Sequence, residues 1–247
     1  MIEKSEEYIL SLLKPSDVVV DIGGWASPFN RATHVIEAFP YETRGFYQTF
    51  GGPASQGGTV EHFTRGTWIE RDICSREPFP FQDKSVDFVI CSQVLEDVRD
   101  PLWVCSEMIR IAKRGYIEVP SRIVESCRGW EHPRIAGLSH HRWFVEIEGN
   151  SLRFLMKYHF ASLWKYSFPP AFLRGLAPER RVATLFWEES FDYSEKIVHG
   201  YAEQRAEQEH FIRSIRPHAR GAILFADAVE RVGSLARRGW NKLSRAF

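Results

Sequence analysis

Acidic side chains stand at or near the ends of short apolar runs in this chain, where they can grip a ligand's hydroxyl and amino groups. Asp21 interrupts the run Val18 to Ile22 just ahead of Gly23-Gly24. Glycines there let backbone approach a ligand that a Cβ would block, and N–H groups of the following turn can face a carboxylate. Glu37 stands near the end of the run His34 to Ala38, and a carboxylate in that place can accept hydrogen bonds from both hydroxyls of a ribose. Asp72 follows the run Thr67 to Arg71, with apolar Ile73 next, and Ser92 follows Val86 to Cys91. Farther on, Ser121, Arg122, Glu125, Glu131, His132, His140, His141 and Arg142 form a polar stretch suited to covering a substrate. His140 and His141 are the candidates for a general base, because an imidazole titrates near neutrality. As neighbours they point opposite ways in extended backbone, so at most one of them faces a site. The histidines with Glu131 offer a divalent-metal reading as well, but their spacing matches no closed metal motif, and no metal is expected.

Parallel strands buried on both faces must position these residues. Val18 to Ile22, Val86 to Cys91 and Tyr116 to Val119 are near-continuous apolar runs, the pattern of a sheet covered on both sides. Helices are expected over residues 2–14, ended by Pro15, and from Pro101 to Arg114, with Asp100 as N-cap and Pro101 in the first turn. Strands joined by crossovers give an open α/β sheet. Asp21 and Glu37 are so close in sequence that only about one helical turn fits between their strands. Residues 142–148 and 151–157 flank Gly149-Asn150 and read as a hairpin. Residues 182–198 read as a further strand pair and 201–215 as a charged helix. Residues 221–247 read as an amphipathic helix, with Phe225, Val229, Val232, Ala236, Trp240 and Leu243 on its apolar side. Its expected role is packing on the domain or on a second copy in a homodimer. Peripheral contact with an anionic membrane is the lesser reading.

The bulk properties narrow the partners. Lys plus Arg equals Asp plus Glu at 32 each, so no global field draws in nucleic acid. The chain also lacks the Asn/Asp-Pro-Pro-Tyr and Pro-Cys signatures of DNA-base methylation. The four cysteines form no C-x-x-C pair, and Cys91 and Cys105 read as small core residues. With no signal peptide and no apolar run long enough to span a bilayer, a cytoplasmic location is expected.

The segment from Asp72 to Pro120, and in it Phe79 to Val89 with the pattern F-P-F-x-D-x-S-x-D-F-V, resembles the class I S-adenosylmethionine-dependent methyltransferases. The resemblance covers about residues 15–157. It implies a Rossmann-like, mostly parallel seven-stranded sheet closed by an antiparallel C-terminal hairpin, with a helical C-terminal appendage. It implies a cofactor-binding domain over 1–160, and residues 161–247, which the resemblance does not cover, read as a strand and helix extension packing on that domain or on a partner. It also implies S-adenosyl-L-methionine as cofactor. Asp21, Gly23 and Gly24 would then lie at the methionine end and Glu37 at the ribose. Asp72 would accept from the adenine amino group, Ile73 would pack on the ring, and Ser92 would line the crevice. Where many relatives have Glu-His, this chain has Glu96-Asp97. The expected reaction is methyl transfer, most simply to an oxygen of a small molecule or glycan. The alternative is a non-catalytic binding or assembly protein on the same fold. A nicotinamide dehydrogenase would want a full G-x-G-x-x-G, which is absent.

Overall fold

The computed structural model describes residues 1–51 and 56–215. Chain contacts divide into two compact units. One comprises Met1–Pro120, Arg142–Leu155 and Val182–Lys196; the other comprises Ser121–His141, Met156–Arg181 and the chain from Ile197. The boundary expected at residue 160 therefore falls inside a segment of the second unit.

The first unit opens with helix α1 (Glu3–Leu12), followed by strands β1 (Val19–Ile22), β2 (His34–Glu37), β3 (Trp68–Glu70) and β4 (Phe88–Ser92). Helix α2 (Pro101–Ile111) then leads into β5 (Arg114–Pro120). Asp100 caps α2 by accepting from the Trp103 N–H at 3.1 Å, and Pro101 sits in the first turn, where it forfeits no helical bond. Val104, Cys105, Met108 and Ile111 recur at helical spacing and are fully buried, each contributing about 1–3 kcal/mol by leaving water. They pack with Val20, Val89, Cys91 and Ile117 on one face of the sheet. Val19, Val35, Phe88, Ile90 and Tyr116 line the other face with Ile9 of α1.

No helix forms between β1 and β2. Thr33 returns to the start of β1 instead: its N–H and hydroxyl both donate to the Val19 carbonyl, at 2.8 and 2.9 Å. Two glycines and Pro28 in so short a connection leave no room for a helical turn with its caps.

The short α3 (Arg122–Glu125) follows β5; next come β6 (Trp143–Glu148) and β7 (Ser151–Met156), and after them the short helices α4 (Pro170–Arg174) and α5 (Pro178–Arg181). Strands β8 (Val182–Glu188) and β9 (Asp192–Glu195) and helix α6 (Gly200–Ile215) complete the described chain. The main sheet has the order β3-β2-β1-β4-β5-β8, parallel throughout except β8, which runs antiparallel to β5 from Arg114↔Glu188 to Pro120↔Val182. The Rossmann-like α/β expectation holds, with six strands rather than seven. The hairpin does form, but β6 and β7 join β9 in a separate three-stranded sheet, and β8 takes the antiparallel edge. Alternating burial marks a strand without naming its neighbour, so the sequence pattern did not distinguish β7 from β8 as the closing strand.

In the second unit Val124, Cys127, Phe168, Phe172, Leu173 and Leu176 pack against Ile212 of α6. The buried Gln208 amide ties α6 down, donating to Ser126 Oγ at 3.1 Å and to the Tyr166 carbonyl at 2.9 Å. The amphipathic stretch 221–247 lies outside the described residues. Among the described residues no helix is long and apolar enough to cross a membrane.

Candidate cofactor site

The carboxyl ends of β1, β2, β4 and β5 carry polar residues on a single face of the sheet. Strand alternation sets this: Asp21, Glu37, Ser92 and Glu118 each stand two residues beyond a member of the Val19, Val35, Ile90 and Tyr116 cluster. Parallel sheets bind ligands beyond these ends.

Asp21 is buried, and its Oδ2 accepts from the Phe29 N–H at 2.8 Å. Burial raises its pKa from 3.8 to about 7, a rise that the Phe29 bond reduces and nearby Glu37 reinforces. Gly24 makes this possible, since a Cβ there would lie 2.2 Å from Asp21 Oδ2. Gly23 has φ +76° and donates its N–H to the Ile36 carbonyl at 2.9 Å. Gly24 thus serves the close packing around Asp21, and Gly23 makes room for Val94, whose Cγ2 would lie 2.4 Å from a Cβ there.

Glu37 organises the loops beyond β1 and β2. Its Oε1 accepts from the N–H groups of Ala38 and Phe39 at 2.6 and 3.3 Å, and Oε2 accepts from Trp25 at 3.2 Å. Burial pushes its pKa up, against the pull of those backbone donors. Trp25 is stacked between Phe39 and Phe46, with centroids 4.2 and 4.7 Å away.

Asp72 is half exposed; Oδ1 accepts from the Cys74 N–H at 2.8 Å and Oδ2 pairs with Arg99 at 2.6 Å. The Cys74 bond leads in holding its pKa low, with Arg99 adding to it. Its sequence neighbours Arg71 and Arg76 are engaged elsewhere, Arg71 with Glu77 and Arg76 with Asp100. Ile73 is buried in the core beside it.

Glu118 was not singled out from the sequence, although it is the one acid inside the apolar run of β5. It is 1% exposed. Oε2 accepts from the Tyr116 hydroxyl at 2.6 Å and the Ile2 N–H at 3.0 Å. Oε1 takes Gln93 Nε2 at 3.1 Å and Ser92 Oγ at 3.4 Å. Gln93, at φ +59°, also donates its backbone N–H to the Glu118 carbonyl. Glu118 thereby fixes the crevice end of β4.

The family model for methionine biosynthesis protein MetW matches residues 5–130, more than half of the 247-residue chain. The chain belongs to the MetW family. No curated protein matches it. Among solved structures it is similar to the YcgJ protein from Bacillus subtilis, at 20% identity and a TM-score of 0.35, over 49% of this chain and 52% of that one. It is similar to an S-adenosylmethionine-dependent methyltransferase from Aquifex aeolicus at 15% identity and a TM-score of 0.32, over 48% and 63%. A third, from Mesorhizobium loti, matches at 15% identity and a TM-score of 0.33, over 62% and 64%. The chain thus spans 52% to 64% of the lengths of these structures. The order β3-β2-β1-β4-β5-β8, parallel but for β8, is a Rossmann-like α/β arrangement.

The MetW segment contains Asp21, Glu37, Asp72, Ser92 and Glu118 but neither His140 nor His141. Those two belong to the second unit. His140 is exposed, whereas His141 is buried with its Nδ1 2.9 Å from Glu125 Oε1. Lys157 Nζ lies 2.5 Å from the other Glu125 oxygen and donates to the Leu138 carbonyl at 2.8 Å. The two rings meet edge to face at 4.6 Å. Glu131 is engaged by the Ser139 N–H instead, and among the described residues no group of three or more His, Cys, Asp or Glu could hold a metal ion.

Proposed function

We propose that this MetW-family chain is an S-adenosylmethionine-dependent methyltransferase acting on a small molecule or glycan, with oxygen as the accepting atom. The observation that carries the reading is the gathering of Asp21, Glu37 and Ser92 on one face at the carboxyl ends of a parallel sheet. The residues fit the adenosine half of the cofactor. Glu37 Oε2 accepts one backbone bond, and a carboxylate oxygen has capacity for a second, from a ribose hydroxyl. Asp72, half exposed, is the acceptor for the adenine amino group, and Ile73 supplies apolar surface for the ring. Gly23, Gly24 and Asp21 form the turn at the methionine end.

The cofactor supplies a methyl group on a sulfonium, and its transfer needs mainly alignment of the acceptor. A hydroxyl acceptor must also lose a proton, and His141 is the residue for that. Glu125, 2.9 Å from Nδ1, orients the imidazole. Exposed His140 is the alternative base.

Calorimetry with S-adenosylhomocysteine tests the binding reading: micromolar affinity is expected, lowered about tenfold or more in Glu37→Ala and Asp72→Ala. Unaltered affinity in both variants would remove them from the site. Transfer of a labelled methyl group to candidate acceptors tests the chemistry, and His141→Ala should then lower turnover while leaving cofactor affinity unchanged.

One observation favours a second reading, a binding or assembly protein that does not turn over. The first crossover has no helix, so no helix N-terminus stands behind Gly23-Gly24. Cofactor binding without transfer to any acceptor would support it.

A further inference from the structure

Strand β8 is an open edge. It ends the order β3-β2-β1-β4-β5-β8, and among the described residues no strand but β5 pairs with it. The two ends of the ladder fix which residues face β5. The Arg181 carbonyl accepts from the Ser121 N–H at 2.8 Å, and the Glu189 N–H donates to the Lys113 carbonyl at 2.7 Å. Backbone groups alternate sides along an antiparallel ladder, so those of Val182, Thr184 and Phe186 point away from the sheet. A bare edge of this kind is ordinarily made short, charged or proline-bearing, because it invites another strand. The opposite edge of the sheet, β3, has only three residues. In the small sheet, edge strand β9 carries Asp192 and Glu195, and edge strand β6 carries Glu146 and Glu148. β8 has seven residues, holds no proline or lysine, and meets its first charge at Glu188. One face of it is also partly uncovered: Phe186 is 38% exposed beside Tyr8 at 51%, their rings edge to face at 5.1 Å.

We propose that β8 is the docking edge for a second copy of this chain, the two strands pairing antiparallel about Thr184 so that two six-stranded sheets become one continuous sheet. The edge is its own complement. Arg180-Arg181 precedes β8, and Glu188-Glu189 closes it. A second β8 laid antiparallel brings opposite charges together, whereas a parallel one sets like against like. Outward-facing groups must meet outward-facing groups, which permits a two-fold axis at Thr184. Thr184 then stands opposite Thr184 of the second copy, Val182 stands opposite Phe186, and Arg180 reaches Glu188. Thr–Thr, β-branched–aromatic and opposite-charge pairs are favourable cross-strand combinations. Arg180 and Glu188 are exposed, and Val182 and Thr184 are half-buried, so each has surface left for a partner. The pairing does not depend on the methyl-transfer reading.

Sedimentation equilibrium of the full chain should find a dimer. Arg180→Glu and Glu188→Arg should each raise its dissociation constant about tenfold, since each turns two attractive pairs into repulsive ones. Mixing the two variants should restore association, because both charge pairs of the heterodimer are again of opposite sign. A second measurement needs no variant. In wild-type protein the amides of Thr184 and Phe186 should resist hydrogen exchange when concentrated and exchange faster on dilution. A monomer at every concentration overturns the proposal. So does a dimer whose Thr184 and Phe186 amides exchange freely, which would join through another surface. Amides protected equally at every dilution also overturn it, and would mean that the chain covers its own edge. Mixed variants that associate no better than either alone overturn the antiparallel register and the proposal with it.

Discussion

Asp21 and Glu125 are both carboxylates sealed from water, at 3% and 1% exposure, and each is closed over by a glycine. A Cβ on Gly24 would lie 2.2 Å from Asp21 Oδ2, and one on Gly137 would lie 2.3 Å from Glu125 Oε2. Their partners differ. Glu125 has Lys157 on one oxygen and His141 on the other. Asp21 has a direct bond from one backbone N–H and a second carboxylate, Glu37, in its field. Glu125 is buried against a lysine ammonium and an imidazole, which hold it in place. Burial against a neutral donor and a like charge makes a group that holds its proton close to neutrality. The first arrangement suits orienting an imidazole, and the second leaves a carboxyl whose charge state can follow what binds beside it.

The largest effect should come from stripping Glu125 of its role as counterion. Glu125→Ala leaves a buried lysine and a buried histidine without their carboxylate, and should cost about 3–5 kcal/mol in urea unfolding. A loss below 1 kcal/mol would mean that Lys157 and His141 are not held by Glu125, and the contrast would dissolve.

Asp21→Asn should act in the opposite direction. The unfolded carboxyl loses its proton near 3.8 and the folded one near 7. Between those values the unfolded chain binds fewer protons, so wild-type stability falls as pH rises and levels off above the folded pKa. Asparagine keeps an acceptor for Phe29 and carries no charge. The variant should therefore be more stable than wild type by about 2–4 kcal/mol at pH 8, with a smaller gap near pH 5. A gap independent of pH would show that another group titrates.

The glycines give the smallest test. Gly24→Ala pushes on Asp21 and should cost about 1–3 kcal/mol. Gly137→Ala pushes on Glu125 and also needs φ +61°, which alanine resists. The second should be the costlier of the two by thermal unfolding, and the reverse order would place the tighter closure at Asp21.

Much of this was legible before any coordinates. The runs expected at Val18 to Ile22, His34 to Ala38 and Val86 to Cys91 are strands within two residues of those bounds, because residues buried on both faces must be apolar throughout. Asp100-Pro101 announced α2, since a cap and a first-turn proline act within a few residues. The absent first helix was foreshadowed by the short distance from Asp21 to Glu37. The identity of the closing edge strand was not legible, and the hairpin expected there belongs to another sheet. Glu118 escaped notice because a single acid in an apolar strand looks the same whether it faces solvent or a crevice.

The sequence alone determined what is local or periodic: which segments are strands and helices, which acids end them, and the six-stranded sheet's parallel core. Tertiary structure decided everything that depends on partners distant in the chain. It set Arg99 on Asp72, and His141 and Lys157 on Glu125. It also placed Trp25 between Phe39 and Phe46. Side-chain type fixes what a group can do, but its charge state and its neighbours follow from burial and approach, which only the folded chain specifies.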